Sequence, residues 1–159
     1  MKSKLLSAVI IAALVAGSLD IILAFTNAYV SRGTTPDKVL KYIASGVFGK
    51  QAFSGGSGMI ASGLGFHYLI AFLFTLFYFL AYPVFIQLTR NKFVLGILYG
   101  IFIWSFMHFV VLPISRTPGP AAFKLSNAAL AAGILVIAMG IPLAFFAHRY
   151  YSARQTAVS

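Results

Sequence analysis

The sequence predicts an all-α fold: a polytopic membrane protein with four transmembrane helices and one amphipathic interfacial helix in the first external loop. Three observations carry that prediction. Of 159 residues, 60% are hydrophobic and only 9% are charged, whereas a soluble domain carries about 25% charged residues. The mean hydropathy is +0.94. Four apolar stretches reach the roughly 20 residues that cross a hydrocarbon core: Leu5–Tyr29, Gly63–Leu88, Phe93–Leu112 and Asn127–His148. Backbone in lipid must satisfy its own hydrogen bonds, so each is a helix, and none alternates as a membrane β-strand does. No internal repeat divides the chain, and residues 1–159 read as a single membrane domain.

The first span starts behind Lys2 and Lys4 and has the look of a secretory signal, with "AGS" at 16–18 as a candidate cleavage site. Its apolar run continues through "IILAFTNAYV", past the roughly 7–15 residues of a signal core. An uncleaved first helix is therefore expected. Cleavage after Ser18 would leave Asp20 almost at a new N-terminus.

Loop 30–62 contains "TTPDKVLKYIASGVFG", with Thr35 as a helix cap, Pro36 at the first helical position and Asp37 in the first turn. Val39, Leu40, Ile43, Ala44 and Val47 share one face of a helix over about 36–48, and Lys38, Lys41 and Ser45 share the other. Such a helix lies along a membrane surface or lids the bundle. The following "FSGGSGM" reads as a flexible hinge. Its amides and Lys50 offer a weak phosphate cradle without phosphate-loop spacing.

In the second span His67, Ala71, Phe74, Tyr78 and Phe85 form a stripe, with Tyr82 beside it and Pro83 marking a kink or an early end. The stripe reads as core or lipid contact, or else as an apolar groove ending at His67. In the third span "GILYG" sets Gly96 and Gly100 four apart, a close-approach spacing, and Trp104 lies one turn before His108. "SRTPGPAAFKLSN" then predicts a proline-glycine turn ending on Ser126 or Asn127 as a cap. The fourth span is rich in alanine and glycine, with Pro142 expected to bend it.

Twelve Lys and Arg against two acidic residues give a net charge of +10. The basic residues sit at the ends of apolar runs, as headgroup anchors do, so nucleic acid is not an expected partner. Lys2, Lys4, Arg90, Lys92, Arg149 and Arg154 fall on the side of the termini, and Arg32, Lys38, Lys41, Lys50, Arg116 and Lys124 on the other. The first set is packed closer to the helix ends, where the positive-inside rule acts, so both termini are expected to be cytoplasmic. With no cysteine, disulfides, thiolate metal sites and cysteine nucleophiles are excluded.

Asp20 interrupts the greasy run "AGSLDIIL". At about 100° per residue, Ala13, Ala16, Gly17, Ala24 and Asn27 fall on its side, and Ile11, Leu14, Val15, Ile22, Phe25 and Tyr29 fall opposite. Small residues let membrane helices approach, so Asp20 is expected to point into the bundle. Counted from the starts of their spans, Asp20 and His108 lie at one depth, with His67 roughly one turn further out and Arg116 and Asn127 at the same mouth. Asp20, His67, His108, Arg116 and Asn127 are thus the candidate ligand or proton site, with Trp104 and Tyr78 as candidate aromatic lining.

Three readings of that cluster stay open: a polar clasp between helices, a protonatable site of a carrier or channel, and a metal or hydrolytic site. The last lacks close ligand spacing, so no metal, cofactor or catalytic residue is assigned and the chain is not expected to be an enzyme.

"GSLDIILA", "VLKYIASGVFGKQAFSGG", "GLGFHYLIAF" and "GILYGIFIWSFMHFVVLPIS" occur in this order over more than half the chain. In these stretches the sequence resembles the YagU-like family of small bacterial inner-membrane proteins. The resemblance implies a multi-span protein of the bacterial inner membrane with Asp20 and His67 inside the shared stretches. It also implies asparagine at the His108 position of related chains, which weights hydrogen bonding above titration there. It brings no reaction or cofactor. The expected function is a small binding or transport module in the bilayer, acting as a homo-oligomer or with a partner membrane subunit. The alternative is a non-catalytic structural or accessory subunit.

Overall fold

The structure, a computed structural model, describes residues 2–118 and 125–155. Its elements are helices: α1 (Lys2–Arg32), α2 (Pro36–Phe48), a single turn α3 (Gln51–Ser54) and α4 (Ser57–Thr89). α5 comprises Lys92–Phe106, a π-helical segment Met107–Val111 and Leu112–Ile114. α6 comprises Leu125–Leu135, a second π-helical segment Val136–Gly140 and Ile141–Gln155. Among the described residues there is no strand. α1, α4, α5 and α6 are each long and apolar enough to cross a membrane. The expected turn at Gly119 and Pro120, and Lys124, lie outside the described residues.

The helices outrun the apolar stretches that predict them. α4 starts at Ser57 rather than Gly63, so the expected hinge shrinks to Gly55 and Gly56 between two helices. The reason is docking: α2 lies across the first turns of α4, and Gly63 meets the Leu40 carbonyl of α2 where a side chain would collide. Packing outweighs the roughly 1 kcal/mol that a glycine costs a helix. Ser126 and Asn127 both lie inside α6, which is already helical at Leu125.

Pro83 neither breaks nor ends α4. A proline cannot donate to the carbonyl four residues back, here that of Phe79. That carbonyl accepts instead from the Tyr151 hydroxyl of α6 at 2.8 Å, so the freed group is satisfied by a neighbouring helix. The other two prolines inside spans are handled differently. Pro113 and Pro142 each follow a π segment by two residues, and at the segment ends Leu112 donates to Met107 and Ile141 to Val136. Widening the turn to five residues moves the backbone away from the proline ring.

Glycine sets the closest helix contact. A Cβ on Gly96 would lie 2.9 Å from the Gly140 carbonyl oxygen and 3.0 Å from the Ile141 Cα, and a Cβ on Gly100 would collide with Val136. The "GILYG" spacing thus seats α5 on the π segment of α6. The core beside it is aromatic: Tyr78, Phe79, Tyr82 and Tyr99 are buried with Leu143 and Val9.

α2 differs in one respect from its sequence pattern. Ser45, expected on the polar face, is fully buried, with its hydroxyl donating to the Tyr42 carbonyl at 2.6 Å, whereas Val47 is half exposed. α2 is covered on two sides: by α4, and by the segment after α5, where the Arg116 amide donates to the Gly46 carbonyl at 2.9 Å. At its start, hydrogen bonding from Thr35 holds the Asp37 carboxyl below its usual range, aided by its own amide, that of Lys38 and the charge of Lys41. A pKa lower in the folded state gives a contribution complete above the unfolded value of about 4 and lost as pH falls through the depressed one. The protection of α2 amides, relative to their intrinsic exchange at each pH, is therefore expected to fall on acidification below about pH 4. The Asp37→Asn variant should show no such step.

Candidate functional site

The α1 residues sort by size as the helix wheel requires. Ala13, Ala16 and Gly17 are buried, whereas Ile11, Leu14, Val15, Ile22 and Tyr29 are exposed on the outer surface. Phe25 is intermediate. Gly17 lets α4 in: a Cβ there would lie 3.1 Å from the Ala71 Cβ and 3.3 Å from the Tyr68 ring. Two polar contacts fix this approach. His67 Nε2 donates to the Gly17 carbonyl at 2.8 Å, and the Ser18 and Tyr68 hydroxyls bond at 2.7 Å.

Asp20 is one turn from that hook. It lines a cavity of about 100 Å³ together with His67, Ile43 of α2, Ile103 and Met107 of α5, and Met139 of α6. All four long helices and α2 therefore contribute to one small chamber, with room for several water molecules. Its walls are apolar except for Asp20 and His67. Among the described residues no hydrogen bond fixes the Asp20 carboxylate, although it lies close enough to His67 for their charges to interact. Because Nε2 carries the proton donated to Gly17, the lone pair of neutral His67 resides on Nδ1.

The other sequence candidates lie elsewhere. The α5 residues on the cavity are Ile103 and Met107, while His108, one position on, stacks on Trp104 with ring centroids 5.3 Å apart and 9° between planes. Depth alone does not bring a side chain to a site, because each residue turns the helix by about 100°. Arg116 lies beyond the end of α5 against Gly46 and Gly49 of the α2 end. Asn127 is exposed in the first turn of α6. Tyr78 is fully buried away from the cavity, packed on Tyr99 at 4.4 Å, and its hydroxyl has no partner among the described residues. Nor do three His, Asp or Glu side chains gather among the described residues, so Asp20 and His67 offer a metal two ligands at most.

One polar group escaped the sequence reading. The Tyr82 hydroxyl bonds His148 Nδ1 at 2.9 Å, and Tyr82 stacks on Tyr151 at 5.4 Å. In the sequence His148 marks only the end of the fourth apolar stretch. Its spacing of three from Tyr151, facing the Tyr78 and Tyr82 pair, was the available signal.

Four apolar helices around a shared chamber define the class: an integral, all-helical membrane protein. No protein family, no curated protein and no solved structure matches the chain.

Proposed function

We propose that the chamber lined by Asp20 and His67 is a protonatable binding site, and that the protein is a small binding or transport module of the bacterial inner membrane with both termini cytoplasmic, related to the YagU-like proteins. The observation that carries this reading is a carboxylate without a hydrogen-bond partner among the described residues, facing a chamber that all four spans share. A charge in the membrane interior costs about 2.5–3.5 kcal/mol on insertion scales, and such residues mark ion or proton pathways. A carboxylate beside an imidazole nitrogen suits a proton or a small cationic group and repels anions. α2 covers the chamber through Ile43, which supports the lid role for this helix. One four-helix bundle is narrow for a complete pathway, so a second copy or a partner subunit belongs to the proposal.

A second reading has its own support. The His67 bond to Gly17 ties α4 to α1 as a clasp would, and interhelical bonds of this kind average about 0.6 kcal/mol. In that reading the protein is a structural or accessory subunit. Proton flux into vesicles reconstituted with the protein separates the two. Asp20→Asn keeps the shape of the side chain and removes its charge. It is expected to lower flux about tenfold or more, as loss of an intramembrane carboxylate does in a proton relay, with the thermal midpoint unchanged. Unchanged flux with an unchanged midpoint would leave the carboxylate without a role.

A further inference from the structure

Beside Asp20 and His67, two methionines line the chamber: Met107 of α5 and Met139 of α6. The chain has four methionines. Met1 begins the sequence and Met59 stands in the first turn of α4, whereas the two deep in the spans are both on this one wall. Both also belong to the π-helical segments, Met107 opening the first and Met139 inside the second. π turns are rare and recur at functional sites. The prolines that follow account for the wide turns themselves. They do not account for each turn bringing a methionine to the same chamber.

Asp20 and His67 alone offer a metal two ligands. The thioethers raise the number to four, one from each of α1, α4, α5 and α6. These donors decide the ion. Thioether sulfur is neutral and soft, and with imidazole it suits Cu(I) and its analogue Ag(I), whereas Mg²⁺, Ca²⁺ and Mn²⁺ take carboxylate and carbonyl oxygens. Charge points the same way. One carboxylate cancels one positive charge, and a divalent ion would leave a charge uncompensated in the membrane interior. His67 brings its Nδ1 lone pair, since Nε2 is committed to the Gly17 carbonyl. Methionine side chains turn about three bonds, so both sulfurs can close on an ion without moving the backbone.

We propose that the chamber binds a soft monovalent cation of the Cu(I) class, held by the thioethers of Met107 and Met139, the His67 imidazole and the Asp20 carboxylate. The proposal names the ligand of the Asp20 chamber and rests on reading that chamber as a binding site.

Silver nitrate in chloride-free buffer is the probe, titrated calorimetrically into the purified protein in detergent. One Ag(I) per chain is expected to bind, and Zn²⁺ at equal concentration should not displace it. Met107→Leu with Met139→Leu conserves volume and apolarity. The pair should weaken binding about hundredfold or more, since even outer-shell partners of a metal are worth about 10–100-fold. Met59→Leu should bind as the parent does. The chain has no cysteine, so the sulfur neighbours expected in the X-ray absorption spectrum of the silver-loaded parent can come only from methionine. Absence of saturable binding, displacement by Zn²⁺, equal affinity in the double leucine variant, or a loss as large in Met59→Leu would each overturn the site. Proton flux that still depends on Asp20 in any of those cases would leave the chamber as a proton site. Silver binding that depends on the two methionines, without any proton flux, would do the reverse.

Discussion

Gly140→Ala is expected to destabilise the bundle by about 2 kcal/mol or more, within the range of overpacked cores. The sign is the informative part. Alanine in a helix interior is normally better than glycine by about 1 kcal/mol. At Gly140, however, the new Cβ would collide with the Gly96 carbonyl, which is backbone and has no rotamer to give. The helices must separate, and with them Gly100 and Val136, which are in the same contact. Gly133→Ala on the same helix is the control. A Cβ there meets nothing within 4 Å, so the variant should hold or gain stability. Thermal unfolding of the two variants in detergent reads the difference directly. Two variants behaving alike would place the α5–α6 seam elsewhere.

The second large effect is expected at Gly63. A methyl group there would strike the Leu40 carbonyl, and the Leu40 carbonyl carbon would lie 2.7 Å away. Gly63→Ala should therefore lift α2 from α4 at a cost of about 1–3 kcal/mol, while the four long helices keep their mutual contacts. α2 carries Ile43 over the chamber and buries Leu40, Ala44 and Ser45, so its release exposes Asp20. Amide exchange in α2 should quicken while exchange in the long helices stays slow. Gly65→Ala, two residues on and facing open space, should leave α2 protected. Equal protection in both variants would contradict α2 as the cover of the site.

Much of this architecture was legible because lipid simplifies the rules. A span must be helical and of a given length, and Asp20 among Ala13, Ala16 and Gly17 must face protein. The Gly96 and Gly100 pair was readable as spacing, though not its partner, the Val136–Gly140 segment. π turns are invisible in a hydrophobic pattern, and their only trace is the proline two residues later. His108 is the instructive case: counting residues gives height in the bilayer, and the side chain's direction comes from rotation, which the π segment beginning at Met107 alters. Ser45 shows the same limit for α2. An amphipathic wheel supplies one dry face, whereas this helix is covered from two directions by segments far apart in sequence. The replacement of the missing Pro83 bond by Tyr151 could not be read locally either, because the new bond joins Phe79 and Tyr151, 72 residues apart in sequence.

In the proposed function Asp20 faces water in the chamber inside the bundle. The chain contains no cysteine, so single cysteines at 20 and 22 can be compared without background. Asp20→Cys replaces a chamber residue, and Ile22→Cys one that is 57% exposed on the lipid side. A thiol reacts as its thiolate, which forms in water and not in hydrocarbon. In vesicles treated with a water-soluble methanethiosulfonate, the cysteine at 20 should react about tenfold or more faster than that at 22. A cysteine at 20 that reacts no faster than one at 22 would mean that position 20 does not meet water.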